Sequence, residues 1–199
     1  MPELSVPGDS SAILLHCCCA PCSGAIVEHM VRCGLRPVLF FSNSNICSRQ
    51  EYELRKRELE RYACLFGLEV VDDDYNHGEW LDFGGICNLA GEPERGARCT
   101  QCFRFRLLRA ARYASLNGLE VLTTTLASSR WKDLSQVNAA GLWACEQVAL
   151  EYPDRPAPSF WQANWRKGGL QPRRSEIVRE QNFYNQTFCG CEFSISLLP

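Results

Sequence analysis

No run of the chain approaches the ~18 consecutive apolar residues that a bilayer-spanning helix requires, so a helical membrane protein is not expected. Charge of one sign is missing too. The 21 Lys and Arg stand against 23 Asp and Glu, a formal net charge of −2, so the protein as a whole is no general binder of polyanions. Any nucleic-acid contact must come from a local patch. The N-terminal MPELSVPGDSS has no basic start followed by an apolar stretch, so no secretory signal is expected and the reducing cytoplasm is the expected compartment. Internal repeats and a domain boundary are also absent. The 199 residues, 46% hydrophobic and 22% charged, therefore read as one soluble folded domain. Its core is expected over about 12–150, with a basic, aromatic segment over 151–199.

The apolar pattern predicts an α/β protein. Ala12–His16 (AILLH) reads as a buried strand, Ser23–Arg32 as a helix closed by Gly34, and Pro37–Phe41 as a second strand. Ser48-Arg49-Gln50-Glu51 is a capping box opening a charged helix over Arg49–Phe66, and Leu68–Val71 is a third strand. This βαβαβ order implies a Rossmann-like parallel sheet flanked by helices. Tyr75–Arg98 reads as an irregular excursion, followed by a helix capped by Thr100 and ending near Gly118. Leu119–Leu126 is strongly β-prone, Leu134–Leu150 is helical, and a short helix is expected around Ser175–Phe183.

The one excess is cysteine, 13 residues and mostly clustered. Cys17, Cys18, Cys19 and Cys22 form CCCxxC, Cys99 and Cys102 form CxxC, and Cys189 and Cys191 form CxC. The solitary Cys33, Cys64 and Cys145 read as small buried hydrophobes, and Cys47 and Cys87 have no partner at ligand spacing. CCCAPC occupies the first strand-to-helix turn, outside the carboxyl end of a strand, where open parallel sheets bind ligands. Two of its first three cysteines should face that crevice. Cys22 enters from the helix start, whose dipole favours a thiolate. Cys99, Cys102, Cys189 and Cys191 satisfy a zinc ion or an iron-sulfur cluster equally well by count. Cys18, Cys19 and Cys22 remain beyond that, more soft ligands than one zinc uses, so a polynuclear or double metal site is expected. The glycine-rich turn that would cradle a nucleotide phosphate is replaced here by cysteine, which argues against ATP chemistry.

Two further features suit an anionic, planar substrate. Ser128-Ser129-Arg130-Trp131-Lys132-Asp133 follows the fourth strand, where it reads either as a capped helix start or as a grip in which Arg130 or Lys132 holds phosphate and Trp131 stacks. Trp161–Arg179 carries Arg166, Lys167, Arg173, Arg174 and Arg179 against Glu176 alone, interleaved with Trp161 and Trp165, as in an RNA-binding flank. The helix Arg49–Phe66 balances its bases with acids and reads as a salt-bridged surface.

The blocks LLHCCCAPCS, FFSNSNICSRQEYELRKRELERYA, EPERGARCTQCFRFRL, TTTLASSRWKDLSQVNAAG, NWRKGG and FYNQTFCGCEFS, spanning about Leu14 to Ser194, resemble the cobalamin-independent epoxyqueuosine reductase family, QueH. The resemblance implies a fold related to the adenine-nucleotide hydrolase-like (HUP) architecture without an ATP loop. It also implies reductive removal of the epoxide oxygen of epoxyqueuosine at the wobble position of tRNA, the last step of queuosine synthesis. It further implies a 4Fe-4S cluster and one additional iron ion, with neither cobalamin nor ATP, and an unidentified electron donor. Carried onto this chain, the cluster falls to Cys99, Cys102, Cys189 and Cys191, and the extra iron to Cys18, Cys19 and Cys22. Cys17 departs from relatives with a non-ligating residue there and is expected to pack. Epoxide-to-alkene conversion consumes two electrons and two protons; the extra iron is expected to act as a Lewis acid, and Lys132 or Asp133 to donate protons. Competing readings are an iron-sulfur-dependent tRNA thiolase, disfavoured by the missing phosphate loop, and a non-catalytic zinc-bound RNA-binding module.

Overall fold

Apolar runs without alternation make strands buried on both faces, which a parallel sheet needs. The computed structural model describes residues 3–195. Strands β1 (Ile13–His16), β2 (Val38–Phe41), β3 (Val70–Asp72), β4 (Val121–Thr124) and β5 (Ser159–Phe160) form one parallel sheet in the order β3-β2-β1-β4-β5. In register, Leu14 lies between Val38 of β2 and Leu122 of β4. The connections are α1 (Ala20–Arg32), α2 (Arg49–Cys64), α3 (His77–Asp82), α4 (Ala97–Leu116), α5 (Leu134–Glu151), α6 (Leu170–Glu180) and α7 (Glu192–Ile195). Leu15, Leu39, Phe41, Leu107 and Leu122 are fully buried between the layers. The chain direction across the sheet reverses between β1 and β4, so the loops after these two strands flank the switch point where such sheets hold ligands. Among the described residues, no helix is long and apolar enough to cross a membrane.

The α/β reading holds, with corrections at the element ends. Helix α1 begins at Ala20, three residues before the expected Ser23, because Pro21 pre-sets the first helical turn. Helix α4 begins at Ala97 instead of after Thr100, because the Glu92 carboxylate accepts the Ala97 N–H at 3.0 Å and acts as a cap from five residues upstream. The excursion before it contains α3 and a 3-10 turn over Phe83–Leu89. Helix α6 starts at Leu170, ahead of the expected Ser175, with Gly169 at φ 80° turning the chain and Pro172 tolerated in the first turn. The two-residue strand β5 is too short to show as a pattern. The buried-filler reading of the solitary cysteines also fails for Cys33 and Cys64, which are exposed.

One glycine is fixed by a close approach. A methyl added at Gly141 of α5 would overlap the ring of Phe160 on β5, so Gly141→Ala is expected to lose about 1–3 kcal/mol of stability despite its better helix propensity. A Tm measurement checks this.

Candidate metal centre

Where β1 ends, His16 is held by Thr124 Oγ1 at 2.7 Å and by the Ser42 carbonyl at 3.1 Å. Burial, reinforced by the Arg106 charge, pushes it down to about 3, so it is a neutral strut between strands. The three cysteines that follow diverge. Cys17 turns into the core and donates to the Leu15 carbonyl at 3.4 Å, and burial pushes its thiol up. Cys18 faces the opening with its backbone N–H on Thr125 Oγ1 at 3.0 Å, while Cys19 is the N-cap residue of α1. Because α1 starts early, Cys22 falls in its first turn, and the sulfurs of Cys18, Cys19 and Cys22 all lie within 4.8 Å of one another. Cys18 and Cys19 are 3.9 Å apart.

Ionisation is unequal within this trio. The thiols of Cys19 and Cys22 hydrogen-bond to Cys18 and hold it well below the usual thiol value, with Arg106 and the Thr125 hydroxyl adding to the effect. The same sharing with Cys18 pushes Cys19 up, and pushes Cys22 up to about 12. The pull toward a thiolate, expected at Cys22, is directed at Cys18 instead. Gln186, from the C-terminal segment, completes the trio by donating its Nε2 to Cys19 Sγ at 2.8 Å.

The second group comes from two elements. Cys99 and Cys102 sit one turn apart at the start of α4, where the Arg95 backbone N–H points at Cys99 Sγ at 3.3 Å. Cys189 and Cys191 flank Gly190, whose φ of 107° makes the turn possible and whose missing side chain leaves room for the Arg55 guanidinium. Arg55 secures this turn by donating to the Cys189 carbonyl at 3.0 Å. The Cys191 thiol, followed by the Lys132, Arg106 and Arg55 cations, holds Cys189 well below its usual value. Cys191 is raised by that same sharing, and burial raises Cys99 and Cys102. Lys132 Nζ stands 3.6 Å from Cys189 Sγ.

Six of the seven clustered cysteines outside the core, all but Cys19, line one cavity of about 830 Å³. Seven basic side chains and one acid, Glu94, line it too. Soft thiolates with buried cations as counter-charge are a donor set for zinc or iron-sulfur, not for hard cations. Trp80 adds a second sign of fit: its buried indole N–H is directed at the Cys102 sulfur, beside Cys191, as a donor to sulfur ligands would be. Among the described residues, no three of Cys99, Cys102, Cys189 and Cys191 approach one another as closely as the first trio does.

The other expected site residues divide. Arg130, Trp131 and Lys132 line the cavity, with Trp131 64% exposed and the Arg130 guanidinium 4.8 Å from its ring centre. Asp133 does not; it caps α5 by accepting the Gln136 N–H at 3.0 Å. Asp133→Ala is accordingly expected to cost about 1 kcal/mol of stability in a melting experiment while leaving turnover within twofold. Trp165 is buried against Trp161 at a centroid distance of 5.1 Å and is a core residue, not a stacking platform. Arg166 donates to the Lys132 carbonyl at 2.7 Å, a support for the cavity lip, and Lys167 is exposed away from the cavity. Arg173 is consumed by Glu28, Glu176 and Glu180, at 2.7, 3.0 and 2.8 Å, which subtracts it from the basic flank.

Sequence reading passed over Gln186, Trp80 and Arg106. Arg106 carried a usable signal: with Cys99 and Cys102 it falls at helical spacing on one otherwise apolar face of α4, where a buried cation needs anionic neighbours.

A family model described as epoxyqueuosine reductase QueH matches residues 13–196. The chain is 42% identical over 194 residues to the epoxyqueuosine reductase QueH of Histophilus somni, covering 98% of this chain and 76% of that protein. To the protein of the same name from Haemophilus influenzae it is 41% identical, covering 97% and 75%. To that of Thermotoga maritima it is 30% identical, covering 92% and 90%.

Proposed function

The chain belongs to the epoxyqueuosine reductase QueH family, and from that premise we propose that its cavity removes the epoxide oxygen of epoxyqueuosine at the wobble position of tRNA, in the cytoplasm. The reaction turns an epoxide into an alkene and water, consuming two electrons and two protons. The observation that carries the reading is the convergence of six thiols and seven bases on one cavity. Cys99, Cys102, Cys189 and Cys191 would hold a 4Fe-4S cluster, and Cys18, Cys19 and Cys22 an additional iron. When bound, this group supplies the electrons, singly, from an external donor; neither cobalamin nor ATP is required.

The protein's own groups do the rest. Trp131 offers an open aromatic face at the cavity mouth for a base of the anticodon loop, with Arg130 beside it and Arg174 elsewhere on the cavity wall for phosphates. Lys132 holds a proton at Nζ over the cavity floor, in position to protonate the departing oxygen. Arg106 stays behind the sulfurs, donating to the Ser42 carbonyl and the Asn43 side chain, and offsets their negative charge.

Anaerobic purification with iron and sulfide analysis tests the reading together with an assay for loss of one oxygen from epoxyqueuosine tRNA. The expected result is about five irons and four sulfides per chain, with sulfide lost on Cys99→Ala. Zinc without sulfide, and no conversion of the tRNA, would overturn it.

A further inference from the structure

Cys47, in the loop after β2, His77, at the start of α3, and Glu192, at the start of α7, are far apart in sequence, yet their ligand atoms all lie within 4.8 Å of one another. None of the three lines the cysteine cavity. His77 Nδ1 is 2.8 Å from the Ser44 carbonyl, which can only accept, so the proton is on Nδ1 and Nε2 carries the lone pair. That Nε2 is buried without a hydrogen-bond partner and stands 3.8 Å from Glu192 Oε2, too far for a hydrogen bond. Trp80 fixes the ring by stacking on it, with centroids 5.2 Å apart and planes at 29°. A histidine anchored through one nitrogen to a backbone carbonyl, with the other aimed at a thiol and a carboxylate, is how metal-binding imidazoles are presented.

We propose that Cys47 Sγ, His77 Nε2 and the Glu192 carboxylate bind a zinc ion, with water in the fourth position, at a site separate from the thiol cavity. One sulfur, one nitrogen and one oxygen suit a borderline-soft cation with tetrahedral preference, and exclude calcium or magnesium, which take all-oxygen sets. The ion has a structural task. Cys47 also donates its backbone N–H to the Gly190 carbonyl at 2.7 Å, so the zinc ties the turn bearing Cys189 and Cys191 to the β2 loop and to α3. Zinc binding stands apart from the reductase reading; only the benefit to cluster retention rests on it.

The test uses anaerobically purified, iron- and sulfide-loaded protein equilibrated with zinc, read by metal analysis and by zinc X-ray absorption, which does not see iron. The expected result is about one zinc per chain, with a single sulfur at about 2.3 Å and nitrogen or oxygen neighbours at about 2.0–2.2 Å. Cys47→Ser and His77→Gln, both at partly exposed positions, are each expected to lose the zinc with freshly loaded iron unchanged, and to release iron several-fold faster under a chelator. A zinc shell of three or four sulfurs that survives both substitutions, or no bound zinc, would overturn the proposal. The wild-type sulfur count decides even if a variant folds poorly. Should iron fail to load, the reductase reading falls, while a one-sulfur zinc shell still upholds this site.

Discussion

Replacing Lys132 by Met is expected to slow single-turnover reduction of the tRNA epoxide by about 10²- to 10⁴-fold, with iron and sulfide content unchanged. The expectation follows from the environment of Nζ. Burial works to strip its proton, but Cys189, 3.6 Å away, and then Cys18 outweigh that and hold the ammonium above its ordinary value. When those sulfurs spend their charge on metal, the opposing pull weakens while the burial stays. Lys132 then becomes a stronger acid, on the wall of the same cavity that Cys18 and Cys189 line. Lys132→Arg separates charge from proton transfer, because arginine keeps the cation beside Cys189 but does not give up its proton. It should leave tRNA binding intact and remain slow. A Lys132→Arg enzyme with the wild-type rate and solvent isotope effect would show that the lysine serves as a charge alone.

How much of this was readable from residues depends on whether the determinant is local. The strands β1 and β2 are short, mostly apolar runs and β4 lies in a β-prone stretch, and the cysteines come in close-spaced groups, so the parallel sheet and the seven ligand candidates follow from pattern and spacing. Several of the misses share a cause: a side chain outside the local pattern, a few residues away or far along the chain, decides the outcome. Glu92 starts α4 before Thr100, Phe160 demands glycine at Gly141, and Gln186 rather than a neighbour attends Cys19. Cys47 looked solitary because its partners lie 30 and 145 positions further along the chain. Arg173 and Trp165 mislead in the opposite way. Composition counts them as a free charge and a free ring, whereas the fold pairs the first with three carboxylates and buries the second.

That difference sorts the basic flank into two experiments. Arg130 and Arg174 line the cavity and engage the Trp131 ring and the Asn185 side chain, not carboxylates, so their charge is available to phosphate. The double reversal Arg130→Glu with Arg174→Glu is expected to weaken tRNA binding roughly tenfold or more at moderate salt. The slope of log Kd against log salt should fall by about 1.4, two single-strand phosphate contacts at about 0.7 each. Melting temperature and iron content should not move, since neither side chain holds the fold. Arg173→Glu should do the reverse. It breaks the pairing of α6 to Glu28 of α1, where Glu28 is buried, and sets a like charge among three acids, costing about 3 kcal/mol of stability. Its salt slope for tRNA should match wild type under conditions where the variant stays folded. Were Arg173→Glu to flatten the slope and the Arg130 and Arg174 reversal to leave it intact, the RNA would lie along the outer face of α6, and the cavity mouth would not be where the anticodon loop is held.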